Sequence, residues 1–216
     1  MKKDLIIFGT ANMTQQFLSE VDRFGAVNPV VLTVDRQYIT ADRMYDLPVV
    51  PYDELVDKYS PEQYDMLMVR GNGKPQVFQQ LYERLHDGPY KLINYISPRA
   101  FTDSDLVMGD NNIVYAGADL GYGGVMGSCN VIRQQVYLGH EFNIGSFNTF
   151  RPGCKVGGML RMGNHNEISL ASAVRDGITI GDECVVGMGA VVVKNVDSYC
   201  TVMGVPAKVT SVKQHE

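Results

Sequence analysis

Leu138-Gly139-His140-Glu141-Phe142-Asn143, Ile144-Gly145-Ser146-Phe147-Asn148-Thr149 and Phe150-Arg151-Pro152-Gly153-Cys154-Lys155 are three successive hexads, each opening on a large apolar residue. The pattern extends both ways. In steps of six the leads are Met108, Val114, Leu120, Met126, Ile132, Leu138, Ile144, Phe150, Val156, Met162, Ile168, Val174, Ile180, Val186 and Val192, fifteen in all. In a chain that is 45% hydrophobic, fifteen apolar leads in one given frame arise by chance on the order of 10⁻⁵ of the time. The residue after the lead is glycine at Gly109, Gly121, Gly127, Gly139, Gly145, Gly157, Gly163, Gly181 and Gly187. Four places after the lead, Ala118, Gly124, Cys154, Ser172, Cys184 and Ala190 are small, and Asn112, Asn130, Asn148 and Asn166 share that column.

A period of six with one inward apolar side chain per short strand describes a three-sided coil. The glycine after each lead is expected to supply the unusual dihedrals of a corner, and a small residue fits near the narrow axis. Three hexads close a turn of 18 residues, so fifteen make five turns, stacked about 4.8 Å apart as neighbouring strands are. Such a prism cannot bury all its surface alone and is expected to assemble with copies of itself.

Upstream the pattern changes. Leu5-Ile6-Ile7-Phe8 reads as a buried strand, followed at once by Gly9-Thr10-Ala11-Asn12. A helical pattern runs from about Met13 to Phe24, with Phe17, Leu18 and Val21 on one face. Val30 to Val34 reads as a second strand ending at Asp35, and Tyr64 to Val69 as a third, followed by Gly71-Asn72-Gly73. Residues 75–86 read as a helix and Tyr90 to Ile96 as a fourth strand. Strands alternating with helices predict a parallel α/β sheet that offers its strand ends to a nucleotide. Gly9 would let the backbone turn toward a phosphate, with the N–H groups of the next helix beyond it. Asp35 would accept hydrogen bonds from a ribose or base. The full GxGxxG fingerprint is absent, so a plain strand-to-helix turn and a solvated carboxylate stand as the alternative.

A net charge of −5 gives no general attraction to nucleic acid or anionic membrane, and no basic, aromatic-interleaved cluster is present. The run at Leu5 to Phe8 is too short for a signal-peptide core, and no stretch approaches the ~20 apolar residues of a membrane span. A cytoplasmic protein is expected. Cys129, Cys154, Cys184 and Cys200 form no CxxC, and no histidine stands at zinc-finger spacing, so they read as reduced, packed thiols with no metal.

The whole chain resembles one branch of the hexapeptide-repeat acyltransferases: the sialic-acid O-acetyltransferase and bacillosamine-pathway UDP-amino-sugar N-acetyltransferase group. Three segments carry the resemblance: the junction Asn94-Tyr95-Ile96-Ser97-Pro98-Arg99-Ala100, the segment Leu138-Gly139-His140-Glu141, and the ending Gly204-Val205-Pro206-Ala207-Lys208. The resemblance implies a Rossmann-like nucleotide-sugar domain over residues 1–98 and a left-handed parallel β-helix over 99–216. The repeat does not specify that handedness, and the ordinary crossover rule would make it right-handed. It further implies acetyl-CoA as co-substrate, a sugar or nucleotide-sugar acceptor and a homotrimer. The group's usual Gly-x-Gly-Gly-His-Gly start is Gly9-Thr10-Ala11-Asn12-Met13-Thr14 here; a second histidine is Thr149, and a glycine of the penultimate coil is Met188.

His140 is expected at a coil corner as the general base that takes a proton from an attacking sugar amine or hydroxyl. The resemblance makes Glu141 its orienting partner, although adjacent side chains often point apart. Gly158, 18 residues on, is expected to offer a backbone N–H to the thioester oxyanion. By resemblance, Thr149, Gly158, Leu170, Met188 and Lys208 hold acetyl-CoA, and Gly9, Asn12 and Asp35 hold the acceptor. Among the other histidines, His86 ends a helix, His215 lies in a tail, and His165 falls at another phase of the repeat. Arg133 and Arg151, one turn apart, read either as a phosphate-binding pair or as a solvated or subunit-bridging one, with Glu167 and Asp176 as structural counter-charges. Two other readings compete: a γ-type carbonic anhydrase, for which the three converging zinc histidines are missing, and a non-catalytic nucleotide-sugar-binding or scaffold protein.

Overall fold

The computed structural model describes residues 4–69 and 75–213; Gly71-Asn72-Gly73 and His215 lie outside them. The chain divides into two compact units, Met1–Pro98 and Arg99–Glu216.

In the first unit, β1 (Asp4–Phe8) leads into α1 (Asn12–Phe24), then β2 (Pro29–Val34). A hairpin follows, β3 (Arg43–Met44) and β4 (Leu47–Pro51), then the single-turn α2 (Leu55–Lys58), β5 (Tyr64–Met68) and α3 (Pro75–His86). The sheet order is β3-β4-β2-β1-β5, all parallel except β3. Leu5, Ile6 and Ile7 are wholly buried at its centre, and α1 buries Thr14, Phe17 and Val21 at helical spacing, with the Phe17 ring edge-on to Tyr95 at 5.0 Å. The expected fourth strand is reduced to one bridge, Leu92 beside Met66, and the separate pair Tyr95–Ile96.

The second unit is a coil of two-residue strands whose second member is the lead. From Phe101–Thr102 to Ala173–Val174, each strand pairs in parallel with the one 18 residues on, so Leu120 faces Leu138, Leu138 faces Val156 and Val156 faces Val174. Fourteen leads are buried, and Met108, in the first coil, is packed against them. The arrangement fits a left-handed β-helix. The coil starts one hexad earlier than the apolar period, at Phe101–Thr102, paired with Asp119–Leu120. The far end is closed by Cys200–Met203, parallel to Val185–Val186, and by Lys208–Val212 antiparallel to it.

The corner chemistry differs from expectation. Glycines that follow the leads do not adopt positive φ; that conformation falls two places later, at lead plus three, with φ between 53° and 73° from Asn111 to Gly189. Nine of those left-handed positions hold other residues, Glu141 among them. Glycine follows the lead because the next coil is too close: a Cβ on Gly139 would lie 2.5 Å from Gly158 N, and one on Gly145 2.5 Å from Asn164 Oδ1.

At one corner the asparagines form a buried ladder. Asn112 Oδ1 accepts from Asn130 N–H at 2.8 Å, Asn130 Oδ1 from Asn148 N–H at 3.0 Å, Asn148 Oδ1 from Asn166 N–H at 2.8 Å, and Asn166 Oδ1 from Cys184 N–H at 2.7 Å. Amide side chains thereby satisfy backbone donors that no water reaches. Replacing Asn148 with Leu orphans the Asn166 N–H and removes the Nδ2 donor from Asn130 Oδ1 and Gly163 O, while the backbone N–H at 148 stays on Asn130 Oδ1. We predict a loss of roughly 2–4 kcal/mol in urea unfolding, close to the roughly 2–5 kcal/mol expected for Leu138→Ala. A change below about 0.5 kcal/mol in Asn148→Leu would show that the ladder is dispensable.

Candidate active site

His140 stands two places after Leu138, on the edge between the face carrying Tyr137–Leu138 and the face carrying Asn143–Ile144. Its Nδ1 lies 3.0 Å from Glu141 Oε2. A carboxylate can only accept, so Nδ1 carries the hydrogen, and the neutral ring keeps its lone pair on Nε2. Adjacent side chains meet here because Glu141 takes the left-handed conformation, φ 53°, which folds its carboxylate back over the corner. That backbone is held on both sides: Glu141 N–H donates to Tyr122 O at 2.7 Å, and Arg161 Nη1 donates to Glu141 O at 2.8 Å. The imidazole is 38% exposed, open to a ligand along the edge.

Gly158 lies beneath the ring. A Cβ there would fall 2.5 Å from His140 Nε2 and 2.7 Å from Cδ2 and Cε1, so the space glycine leaves is filled by imidazole. The oxyanion role expected of Gly158 N–H needs correction: this N–H already donates to Asp176 Oδ1 at 2.7 Å. The bond belongs to a wider device. At another corner, Ser128 N–H donates to Ser146 Oγ, Ser146 N–H to Asn164 Oδ1, and Asn164 N–H to Asp182 Oδ1, each one coil on. Asp176 therefore serves Gly158 and not the arginines.

The other expected cofactor residues sit elsewhere on the coil. Thr149 is buried within the face carrying Thr149–Phe150. Leu170 and Met188 stack, exposed, on the edge following that face, and Lys208 begins the second strand of the closing hairpin. Within one chain they do not meet His140. Arg133 and Arg151 part company: Arg151 grips Glu167 through Nε and Nη2, both at 3.2 Å, while the Arg133 guanidinium lies 4.4 Å over the buried Tyr115 ring. His165 stacks on Phe147 at 4.8 Å, away from His140, and His86 ends α3 beside Tyr82. All four cysteines are buried, and burial pushes the Cys154 thiol up to about 12.

In the first unit, the ends of β1 and β2 and one side of α3 enclose a cavity of about 460 Å³, lined among others by Gly9, Thr10, Ala11, Asp35, Tyr38 and Arg84. Gly9 has φ 134°, and a Cβ there would fall 2.8 Å from Val69 O, so the turn is open to glycine alone. Asn12 opens α1 and is exposed, outside the cavity wall. Asp35 is not a free acceptor: Arg84 donates to both its oxygens, at 2.8 and 3.0 Å. Arg84 was missed in the sequence. Its signal was a basic residue three places after Leu81 and seven after Val77, on the cavity side of α3.

Among the described residues no group of three or more potential metal ligands gathers, and no helix is long and apolar enough to cross a membrane. Gly158→Ala should leave the coil folded while forcing the imidazole off Gly158. An imidazole ¹⁵N spectrum showing His140 Nδ1–H unchanged in that variant would contradict the contact described.

No protein-family model matches the chain, and no curated protein matches it by sequence. Solved structures do. The acetyltransferase domain of PglB from Neisseria gonorrhoeae FA1090, in complex with acetyl coenzyme A, is 25% identical, with TM-score 0.85 over 97% of this chain and 100% of that one. PerB from Caulobacter crescentus, in complex with CoA and GDP-perosamine, is 21% identical, with TM-score 0.83 over 98% and 99%. WeeI from Acinetobacter baumannii AYE is 20% identical, with TM-score 0.81 over 96% and 100%. Over 97–98% of its length, the chain has the fold of the hexapeptide-repeat acetyltransferases represented by the PglB domain and PerB.

Proposed function

We propose that the protein transfers an acetyl group from acetyl-CoA to an amine or hydroxyl of a nucleotide-linked sugar, in surface-glycan biosynthesis. The carrying observation is the His140–Glu141 pair at an open coil edge, in a chain whose whole length matches acetyltransferases solved with CoA or acetyl-CoA. His140 Nε2 takes the proton from the acceptor nitrogen or oxygen as that atom attacks the thioester carbonyl. Glu141 holds the other ring nitrogen and favours the imidazolium that forms. Collapse of the tetrahedral intermediate breaks the C–S bond, and the proton on His140 returns to the leaving thiolate.

Residues 1–98 act as a Rossmann-like domain for the acceptor's nucleotide. The cavity at the ends of β1 and β2 supports this, since parallel sheets take ligands beyond their carboxyl strand ends. The Asp35–Arg84 pair presents both a carboxylate and a guanidinium to that cavity. In the coil, Thr149, Leu170, Met188 and Lys208 serve acetyl-CoA from a neighbouring copy in a homotrimer, whose three boundaries supply three equivalent sites. Exposed Phe101 and Tyr137 on one side of the His140 edge, and Val107 and Val125 on the other, support burial against such copies. Four buried thiols suit a reducing compartment, and we place the protein in the cytoplasm.

The test is thiol release from acetyl-CoA against a panel of UDP-, GDP-, dTDP- and CMP-linked amino-sugars. His140→Ala should lower kcat by about 10²- to 10⁴-fold while remaining folded. Retention of more than about a tenth of wild-type kcat would move the base elsewhere. Asp35→Ala and Arg84→Ala should each raise KM for the nucleotide-sugar and leave KM for acetyl-CoA nearly unchanged. If both constants held in both variants, the cavity of the first unit would not be the acceptor site.

A further inference from the structure

We infer that Tyr122 is a positioning residue for His140. Its effect on the ring follows from geometry; its effect on turnover rests on the acetyl-transfer reading. Tyr122 stands two places after Leu120 as His140 stands two places after Leu138, and those leads are direct partners across the coil. The same register that puts Gly158 on one side of the imidazole therefore puts Tyr122 on the other. The two rings are stacked, with centroids 5.3 Å apart and planes 11° from parallel.

The imidazole needs this support. The carboxylate at Nδ1 belongs to Glu141, whose side chain is 55% exposed, and a contact in water holds a ring weakly. The χ2 torsion of histidine is broad, so one exposed hydrogen bond leaves the ring free to swing Nδ1 away from Glu141 and Nε2 away from the edge. A flat shelf parallel to the ring removes that freedom. An aliphatic side chain of equal bulk has no such plane.

Tyr122 is 55% exposed, so it fills no core, and its hydroxyl has no partner among the described residues. Its carbonyl accepts the Glu141 N–H at 2.7 Å, a bond that side-chain substitutions leave in place. The ring, not the hydroxyl, is what the side chain contributes.

The experiment compares Tyr122→Phe, Tyr122→Leu and Tyr122→Ala with wild type in the full chain. Two readouts are taken: imidazole ¹⁵N spectra without substrate, and steady-state acetyl-CoA turnover. Wild type and Tyr122→Phe should show a single His140 tautomer protonated at Nδ1. Tyr122→Leu and Tyr122→Ala should show signals averaged toward both tautomers. In turnover, kcat should fall by about 10- to 100-fold in the Leu and Ala variants and stay within about twofold in Phe, with KM for acetyl-CoA unchanged. A Leu variant with wild-type spectra overturns the inference, and so does failure of Phe to preserve them. If wild type turns over no acceptor, the acetyl-transfer reading fails and the spectra alone decide the role of Tyr122.

Discussion

The 18-residue register of the coil governs the rest of the second unit. Each two-residue strand is bonded to its counterpart one turn on, from Phe101–Thr102 to Val191–Val192 on the face that precedes the His140 edge. With so few residues per strand, no single ladder is strong, and position is set by repetition. The consequence at the edge is a column: Tyr122, His140, Gly158 and Asp176, each two places after a stacked lead. An aromatic ring, an imidazole, a missing side chain and a carboxylate follow one another along it. The missing side chain gives the imidazole its seat, and the carboxylate satisfies the N–H of the residue that lacks one. Activity chemistry and coil packing are thus one geometric problem, and a slip of one residue would dismantle both.

Much of this was legible because the period is strict and uses large apolar leads. Where the lead is polar the reading stopped short: Thr102 opens the coil, yet an apolar count begins at Met108. The corner glycines were located correctly and explained wrongly. Glycine is required after the lead by the neighbouring coil's proximity, while the left-handed backbone falls at lead plus three, where Gln135, Glu141 and His165 adopt it. In the first unit, the hairpin Arg43–Pro51 gave no signal, since its turn is Tyr45-Asp46, with φ 49° and 62°, in place of an Asn-Gly pair. The reduced fourth strand shows the reverse error: an apolar run at a sheet edge that makes only one bridge.

Side-chain pairings were the least legible. That His140 and Glu141 are adjacent is plain in the sequence; that their side chains meet depends on the backbone at Glu141. Asp35 was visible at the end of β2, but its partner Arg84 is 49 residues away on another element. Tyr122 became visible only once the stacked register was known. The two arginines noticed for their spacing proved to have separate partners, Glu167 and the Tyr115 ring, because outward side chains on stacked coils can turn to either side of their column.

In the proposed reaction the acceptor atom meets the lone pair of His140. A crystal structure of the protein with CoA and a nucleotide-linked amino-sugar tests it most directly. The expected structure has the acceptor nitrogen or oxygen within hydrogen-bonding reach of His140 Nε2, about 2.6–3.2 Å, with Nδ1 still on Glu141 and the ring still seated between Tyr122 and Gly158. An acceptor bound with its reactive atom facing His165, or any group other than His140, would contradict it.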